Sequence, residues 1–130
     1  MLALPFSNSN LHPPVFLAPM SGVTDIPSRN IAQLFKPGLV VSEMIASSEL
    51  DRHDFIKTVR TNVNIKNIGQ ATCLTSIQIT GCEPKWMAEC AMIIEAEGGS
   101  IVDINMGCPA KKIVGKRAGS SLMQIPKHAF

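Results

Sequence analysis

The chain has 130 residues, of which 45% are hydrophobic and 17% charged, and its formal net charge is +2. This length predicts one domain, and the apolar content is enough for a buried core. No apolar run approaches the roughly 18 residues of a membrane span. Residues 1–10 lack the basic and apolar regions of a signal peptide. We therefore expect neither a membrane protein nor a secreted one, but a cytoplasmic protein.

The charge is unevenly distributed along the chain. Residues 1–103 carry ten acidic and seven basic residues, a net of −3, whereas residues 104–130 carry five basic residues and no acidic one. Four of the five basic residues fall close together: Lys111, Lys112, Lys116 and Arg117. Such a cluster is either an ordinary solvated loop or a surface that attracts an anionic ligand.

Taken in chain order, residues 15–18 predict a short first strand, which Pro19 ends. Thr24 or Asp25 is placed to cap the helix that follows. Three residues at helical spacing give that helix an apolar face: Ile31, Leu34 and Phe35.

A second strand is predicted over residues 39–44, with the polar Glu43 at its end. A helix over residues 45–57 is expected next, and residues 60–74 predict only an irregular connection. Residues 76–79 form the third predicted strand. The alternation of strands and helices indicates a parallel sheet with right-handed crossovers.

The third predicted helix begins at residues 83–84 and ends at the glycines 98–99. One face carries apolar residues at i, i+3, i+4 and i+7, namely Met87, Cys90, Ala91 and Ile94. Cys90 is therefore interpreted as a packing residue, and Cys73 and Cys82 are also interpreted as structural. Without a CxxC pair or a histidine at ligand spacing, we expect no disulfide and no bound metal.

Cys108 lies in a different sequence context from the other three cysteines. Residues 101–104 predict a fourth strand, and Gly107 and Pro109 then force a turn that contains Cys108. Ligands collect at this carboxyl edge of parallel sheets, because the loops there converge on one crevice. From spacing alone, the alternative is a buried structural cysteine.

Three blocks of sequence resemble one known family. DINMGCPAKK at residues 103–112 resembles the signature loop of the tRNA-dihydrouridine synthases, and APMSGVTD at residues 18–25 resembles their first flavin-contacting loop. IQITGCEP at residues 77–84 is similar to the end of their third strand. The blocks occur in the family's order, and the likeness, which is to the bacterial B type, extends from about residue 15 to residue 124.

The resemblance implies an α/β fold of the (β/α)8 TIM-barrel type, of which about the first four β/α units are present. Residues 1–130 would then be the N-terminal part of a flavin-binding barrel domain, without the remaining barrel and the C-terminal helical tRNA-binding domain. The implied activity is that of an oxidoreductase, the reduction of uridine to 5,6-dihydrouridine in tRNA with FMN as cofactor and NADPH as reductant. This is the activity of the family, and the 130-residue chain alone is expected to be inactive.

The resemblance also implies roles for individual residues. Cys108 matches the family's catalytic proton donor. A thiol at its ordinary acidity is mostly protonated at neutral pH, as a general acid must be. Asn105 matches the residue that hydrogen-bonds the pyrimidine edge, and Lys111 and Lys112 are the substrate-binding residues that would contact tRNA. Four residues are expected to bind the cofactor: Pro19, Met20, Ser21 and Gln78. Without the resemblance, Met20 would be read as ordinary packing and Gln78 as an exposed strand end.

Two other functions stay open at this point. The chain could belong to another FMN-dependent barrel oxidoreductase that acts on a free pyrimidine, although the lysines after Cys108 favour a polyanionic substrate. It could also be an inactive, truncated remnant that at most binds RNA weakly.

Overall fold

The computed structural model describes residues 11, 13–47, 52–63, 73–124 and 126–129. Residues 1–10, where no signal-peptide pattern is seen, and residue 130 lie outside this part. The described strands and helices, in chain order, are β1 (Phe16–Leu17), α1 (Ile26–Gln33), β2 (Leu39–Val41), β3 (Ile45–Ala46), α2 (Arg52–Val63), β4 (Leu74–Thr80), α3 (Pro84–Ala96), β5 (Ile101–Ile104) and α4 (Lys111–Val114), followed by 3-10 helices at Gly119–Gln124 and Pro126–His128. None of these helices is long and apolar enough to cross a membrane.

The strands form one parallel sheet, in which β1 pairs with β2, β2 and β3 pair with β4, and β4 pairs with β5. Ile79 of β4 pairs with Ile45 on one side and with Ile104 on the other, so β3 lies on the edge of β4 opposite to β5. Ser76 pairs with Val41 and Ile101 in the same way, which puts β2 on the same edge as β3. β2 and β3 are thus two pieces of one strand, and the predicted α/β fold with four consecutive parallel barrel strands is confirmed.

The expected helix over residues 45–57 begins late. Ile45 and Ala46 continue the sheet, because they pair with Ile79 and Thr80 of β4, and α2 starts only at Arg52. The prediction that residues 60–74 are irregular is wrong at both ends, since α2 runs to Val63 and β4 begins at Leu74. Residues 64–72, in the middle of that connection, lie outside the described residues.

Helix α1 begins as predicted but buries a different face. Asp25 is its N-cap, and the Asp25 carboxylate accepts a hydrogen bond of 2.9 Å from the backbone N–H of Ser28. The residues of α1 that are buried are Arg29 and Gln33, whereas the predicted apolar face is exposed at Ile31, Leu34 and Phe35. Arg29 can be buried because its guanidinium donates hydrogen bonds to Thr24 and Asn62. The spacing of apolar residues in the sequence does not reveal such partners.

The core lies between the sheet and the helices α2 and α3. It consists of Ile45, Phe55, Val59, Ile77, Ile79, Cys90, Ile93 and Ile94. Cys90 is buried in it as predicted, and burial, together with the nearby Glu89 carboxylate, raises the pKa of its thiol to about 11. The residues that alternate with Ile77 and Ile79 along β4 point to the other face of the sheet. These residues, Ser76, Gln78 and Thr80, are polar and buried, so the second face of β4 is the one that can carry chemistry.

Candidate active site

The carboxyl ends of the strands border an open cavity of about 470 Å³. It is lined by Pro19, Ser21, Met44, Gln78, Ile104, Asn105, Met106, Gly107 and Cys108. Five of the eight residues predicted from sequence are therefore brought together, and they come from three separate stretches of the chain. Met20, Lys111 and Lys112 are not among the lining residues.

The first loop, residues 19–25, is held in shape by Thr24. The Thr24 side chain is buried, and its hydroxyl accepts a hydrogen bond from the Met20 N–H at 2.9 Å and donates one to the Met20 carbonyl at 3.1 Å. Gly22 adopts φ = +75°, a conformation that favours glycine. Its N–H donates to the Glu43 carboxylate at 2.6 Å, so the loop is tied to the segment between β2 and β3.

Arg29 of helix α1 also holds the first loop in place. The guanidinium is fully buried and donates to the Thr24 carbonyl at 3.1 Å and to the Asn62 side-chain oxygen at 2.6 Å. Burial lowers the pKa of Arg29, and the Glu43 and Asp25 carboxylates oppose that change. The buried cation thus connects the first loop to the C-terminal end of α2.

Side chains of β4, of β5 and of the residue that follows β5 form a continuous hydrogen-bonded row beside the cavity. The Gln78 amide nitrogen donates to the Asp103 carboxylate. The Gln78 oxygen accepts a hydrogen bond of 2.9 Å from the Asn105 amide nitrogen. The Asn105 oxygen in turn accepts from the backbone N–H groups of Gly107 at 3.2 Å and Cys108 at 3.0 Å. Asn105 therefore shapes the turn that presents Cys108.

The far side of the Cys108 turn is held by the segment that follows α4. The Ser120 N–H donates to the Cys108 carbonyl at 3.0 Å. Gly119, which has φ = +61°, lies so close that an added Cβ would be 2.6 Å from the Cys108 carbonyl oxygen. The cysteine itself is half-buried and lines the cavity.

The basic cluster begins immediately after this turn. Lys111 and Lys112 open the short helix α4, and Lys116 and Arg117 lie in the turn beyond it. All four side chains are exposed. The four cations thus follow the Cys108 turn closely in the chain, but none of them is among the residues that line the cavity.

Three contributors to the site were not anticipated as site residues from sequence. Met44 lines the cavity, and its sulfur lies 3.8 Å from the Asn105 amide nitrogen. The fully buried Ser42 hydroxyl accepts the Gln78 backbone N–H at 3.0 Å. Asp103, which interrupts an apolar strand in the sequence, is the acceptor for Gln78. A carboxylate inside a predicted buried strand is the one available signal, because such a group needs a partner.

No candidate metal site is found among the residues that the structure describes. In those ranges, no group of three or more His, Cys, Asp or Glu side chains could hold a metal ion.

Fold and site together define the class: a barrel-type parallel α/β chain with its candidate site at the carboxyl ends of the strands. The family model described as Dihydrouridine synthase (Dus) matches residues 16–130. Because that match covers most of the chain, this protein belongs to the dihydrouridine synthase family.

Individual relatives agree with this assignment. A protein of Rhodobacter capsulatus named probable tRNA-dihydrouridine synthase is 44% identical over 99% of this chain, which covers 39% of that protein. A protein of the same name from Rhizobium leguminosarum bv. phaseoli is 49% identical over 89% of the chain and 35% of its own length. The tRNA-dihydrouridine synthase B of Pasteurella multocida is 42% identical over 86% of the chain and 32% of its own length. The chain therefore spans between 32% and 39% of the length of these relatives.

Proposed function

We propose that the chain contributes the catalytic cysteine and part of the flavin site to an oxidoreductase that reduces uridine to 5,6-dihydrouridine in tRNA. The observation that carries the proposal is that Cys108, Asn105 and Gln78 line one cavity at the carboxyl edge of the sheet. Family membership favours this reaction over that of another FMN barrel enzyme acting on a free pyrimidine.

Cys108 is proposed as the group that delivers a proton to C5 of the uracil ring. Its thiol is half-buried at the cavity wall, where it can approach one face of a bound base. The backbone on both sides of the cysteine is fixed, by Asn105 before it and by Ser120 after it. A fixed position matters because proton transfer in the transition state requires hydrogen-bonding distance between donor and acceptor.

Asn105 is proposed to recognise the pyrimidine edge. One N–H of its amide is used by Gln78 at 2.9 Å, while the amide nitrogen contacts the Met44 sulfur at 3.8 Å. Thioether sulfur is a weak acceptor, so a uracil carbonyl that took its place would form a stronger hydrogen bond. The hydrogen bond between Asn105 and Gln78 would stay intact. Asn105 would thus orient the base while it continues to shape the Cys108 turn.

The cavity suits FMN in size and in chemistry. Its volume of about 470 Å³ falls within the roughly 300–1,000 Å³ of small-molecule sites. Pro19 and Met44 provide apolar surface, and Ser21 and Gln78 provide uncharged hydrogen-bonding groups for ring carbonyls and nitrogens. When bound, FMN would supply the hydride that reduces C6 of the uracil ring. Met20, whose side chain is 43% exposed, stays a predicted cofactor contact.

Lys111 and Lys112 are proposed to bind the tRNA backbone. They follow Cys108 within four residues, they are exposed, and residues 104–130 carry no acidic side chain that would repel phosphate. The target uridine must leave its stack to enter a cavity of this kind. Exposed cations that follow the Cys108 turn so closely in the chain would hold the flanking phosphates while the base is inserted.

The remaining parts of the proposal follow from the length of the relatives. The rest of the barrel and a helical C-terminal tRNA-binding domain are proposed to complete the site, because the chain spans at most 39% of the relatives described above. NADPH is proposed as the reductant of the flavin. A cytoplasmic location is proposed because the substrate is tRNA.

A chimera tests the proposal directly. Residues 1–130 replace the matched segment of the Rhodobacter capsulatus protein, which aligns with 99% of this chain. The chimera should bind FMN and form dihydrouridine in tRNA lacking that modification, as measured by nucleoside mass spectrometry. A chimera that is folded and flavin-loaded but reduces only free pyrimidines would contradict the proposal. A folded chimera that reduces neither substrate would favour an inactive remnant.

A further inference from the structure

We propose that Asp103 is a positioning residue that fixes the Cys108 turn through a relay of two side-chain amides, those of Gln78 and Asn105. The inference rests on the proposed function in one respect only, namely that the turn presents a catalytic cysteine. The relay itself is a property of the described side chains, and it can be tested without flavin or tRNA.

The relay begins at a cross-strand pair. Gln78 and Asp103 lie opposite each other in the register of β4 and β5. Gln78 is only 5% exposed, so its amide has little access to water and must find its partners within the protein. The Gln78 amide nitrogen donates to Asp103, and its oxygen accepts from Asn105. The row therefore crosses from β5 to β4 at Gln78 and then returns to Asn105, the residue that follows β5.

The two ends of the relay determine its direction. An ionised carboxylate accepts hydrogen bonds and cannot donate them, so Gln78 must turn its nitrogen towards Asp103. The Gln78 oxygen then faces Asn105, which must present its own nitrogen. The Asn105 oxygen is left to face the backbone N–H groups of Gly107 and Cys108, which can only donate. Every link is satisfied in one orientation, and reversing either amide would place donor against donor or acceptor against acceptor.

Removal of the Asp103 carboxylate would remove the group that fixes the orientation of the Gln78 amide. Without the Asp103 acceptor, the Gln78 amide can adopt either orientation, and in the reversed one it no longer accepts from Asn105. Asn105 is then free to turn away from the N–H groups at the start of the Cys108 turn. The anchor at Ser120 on the other side would remain, so the expected effect is a local opening of the turn and not a loss of the fold.

The experiment measures alkylation of individual cysteines by iodoacetamide in the 130-residue chain, with each site resolved by peptide mass spectrometry. The readout is the labelling rate of Cys108 divided by that of Cys73, which is also half-buried and lies at the opposite end of β4. Global unfolding raises both rates, whereas opening of the turn raises only that of Cys108. Asp103→Ala removes the carboxylate, and Asp103→Asn keeps an oxygen that can accept from Gln78 but adds an amide nitrogen that can donate to it.

Ser76→Ala is the matched control. The Ser76 hydroxyl contacts the Ile101 carbonyl at 3.4 Å across the same two strands but outside the relay. We expect the Cys108 to Cys73 ratio to rise about fivefold in Asp103→Ala, the factor that corresponds to one hydrogen bond of typical net strength. The ratio should rise less in Asp103→Asn, because its amide can still accept from Gln78 but can also donate to it and so constrains the orientation only in part. It should stay near the wild-type value in Ser76→Ala. An unchanged ratio in Asp103→Ala, an equal rise in Ser76→Ala, or a larger rise in Asp103→Asn than in Asp103→Ala would overturn the proposal.

A second variant keeps the test decisive if Asp103→Ala unfolds the chain, which fast labelling of the buried Cys90 would reveal. Gln78→Met removes both amide links at nearly constant volume and leaves the carboxylate in place. The ratio should rise in this variant as well, and hydrogen exchange at the N–H groups of Gly107 and Cys108 should accelerate. A wild-type ratio with unchanged exchange in Gln78→Met would refute the relay whatever the chimera does with tRNA.

Discussion

Gly119 packs its α-carbon directly against the backbone carbonyl of Cys108. A side-chain carbon at this position would lie 2.6 Å from that oxygen and 2.8 Å from the Ile113 side chain. The adjacent Ser120 N–H donates to the same carbonyl. The position of the cysteine therefore depends on the absence of a side chain eleven residues later in the sequence.

Gly119→Ala should displace the Cys108 turn and lower the free energy of unfolding. The φ of +61° alone costs a non-glycine residue about 1–3 kcal/mol, and the contact with the Cys108 carbonyl adds to it. Gly22→Ala is the control, because Gly22 has a φ of +75° but nothing within 4 Å of an added Cβ. Denaturant titration and Cys108 alkylation measure the two effects. Equal stability losses with unchanged Cys108 labelling in both variants would show that the close packing has no influence on the turn.

Cys108→Ala in the chimera should abolish dihydrouridine formation while the flavin content stays constant. Loss of a general acid typically costs about 10²–10⁴-fold in rate, and the cavity wall is otherwise kept because Asn105 bonds the backbone at this position. Cys73→Ala is the comparison, since Cys73 lies immediately before β4 and is not among the residues that line the cavity. Similar losses of product in the two variants would remove Cys108 from its proposed role.

Neutralising the basic cluster should weaken tRNA binding and flatten its dependence on salt. For each phosphate that the variant no longer binds, the slope of log K against log [salt] should fall by up to ~0.9, if the coefficient for duplexes applies. The variant replaces Lys111, Lys112, Lys116 and Arg117 with Gln, and anisotropy titrations of the chimera at several salt concentrations supply the slopes. The control neutralises Lys36 and Lys57, which are exposed on other parts of the structure. A slope that changes equally in both variants would indicate a general charge effect and no local phosphate binding.

The cap of α1 should give the chain a pH-dependent contribution to stability. The Ser28 N–H lowers the pKa of Asp25 below its ordinary value, because the hydrogen bond favours the charged form. The resulting stability is complete above the pKa of the unfolded residue and is lost as the pH falls through the lower pKa of the folded state. Asp25→Asn keeps a capping oxygen without the charge. Its deficit relative to wild type should therefore shrink in acid, and a deficit that stays constant down to the acid limit of folding would contradict this origin.

The sequence predicts which residues meet at the carboxyl edge of the sheet better than it predicts the bounds and faces of the surrounding elements. Gln78, Asn105 and Cys108 can be placed together in advance, because the carboxyl ends of consecutive parallel strands meet at one edge. The row of hydrogen bonds between them cannot be predicted, since it depends on the pairing of Gln78 with Asp103, 25 residues later. Pairing of that kind is set by the register of the sheet. The local pattern indicates only that Asp103 needs a partner and does not indicate which residue that partner is.

The errors in the helices have the same cause. Apolar spacing predicts a face at Ile31, Leu34 and Phe35, but α1 buries Arg29, whose partner Asn62 is 33 residues away. Likewise, the local sequence around Ile45 permits a helix, whereas the pairing of Ile45 with Ile79 of β4 keeps it in the sheet. Tertiary partners override local preference in both cases.

The interruption of the second strand at residues 42–44 has a consequence for how this family can vary. Three successive residues there each make a contact in a different part of the site. The Ser42 hydroxyl accepts from the Gln78 backbone N–H, and the Glu43 carboxylate accepts from the Gly22 N–H. The Met44 sulfur contacts the Asn105 amide nitrogen. Substitutions that keep a hydroxyl, a carboxylate or a soft apolar group would preserve each contact separately. An insertion or deletion of one residue would misdirect all three contacts at once, so we expect this segment to tolerate changes of residue type far better than any change of length.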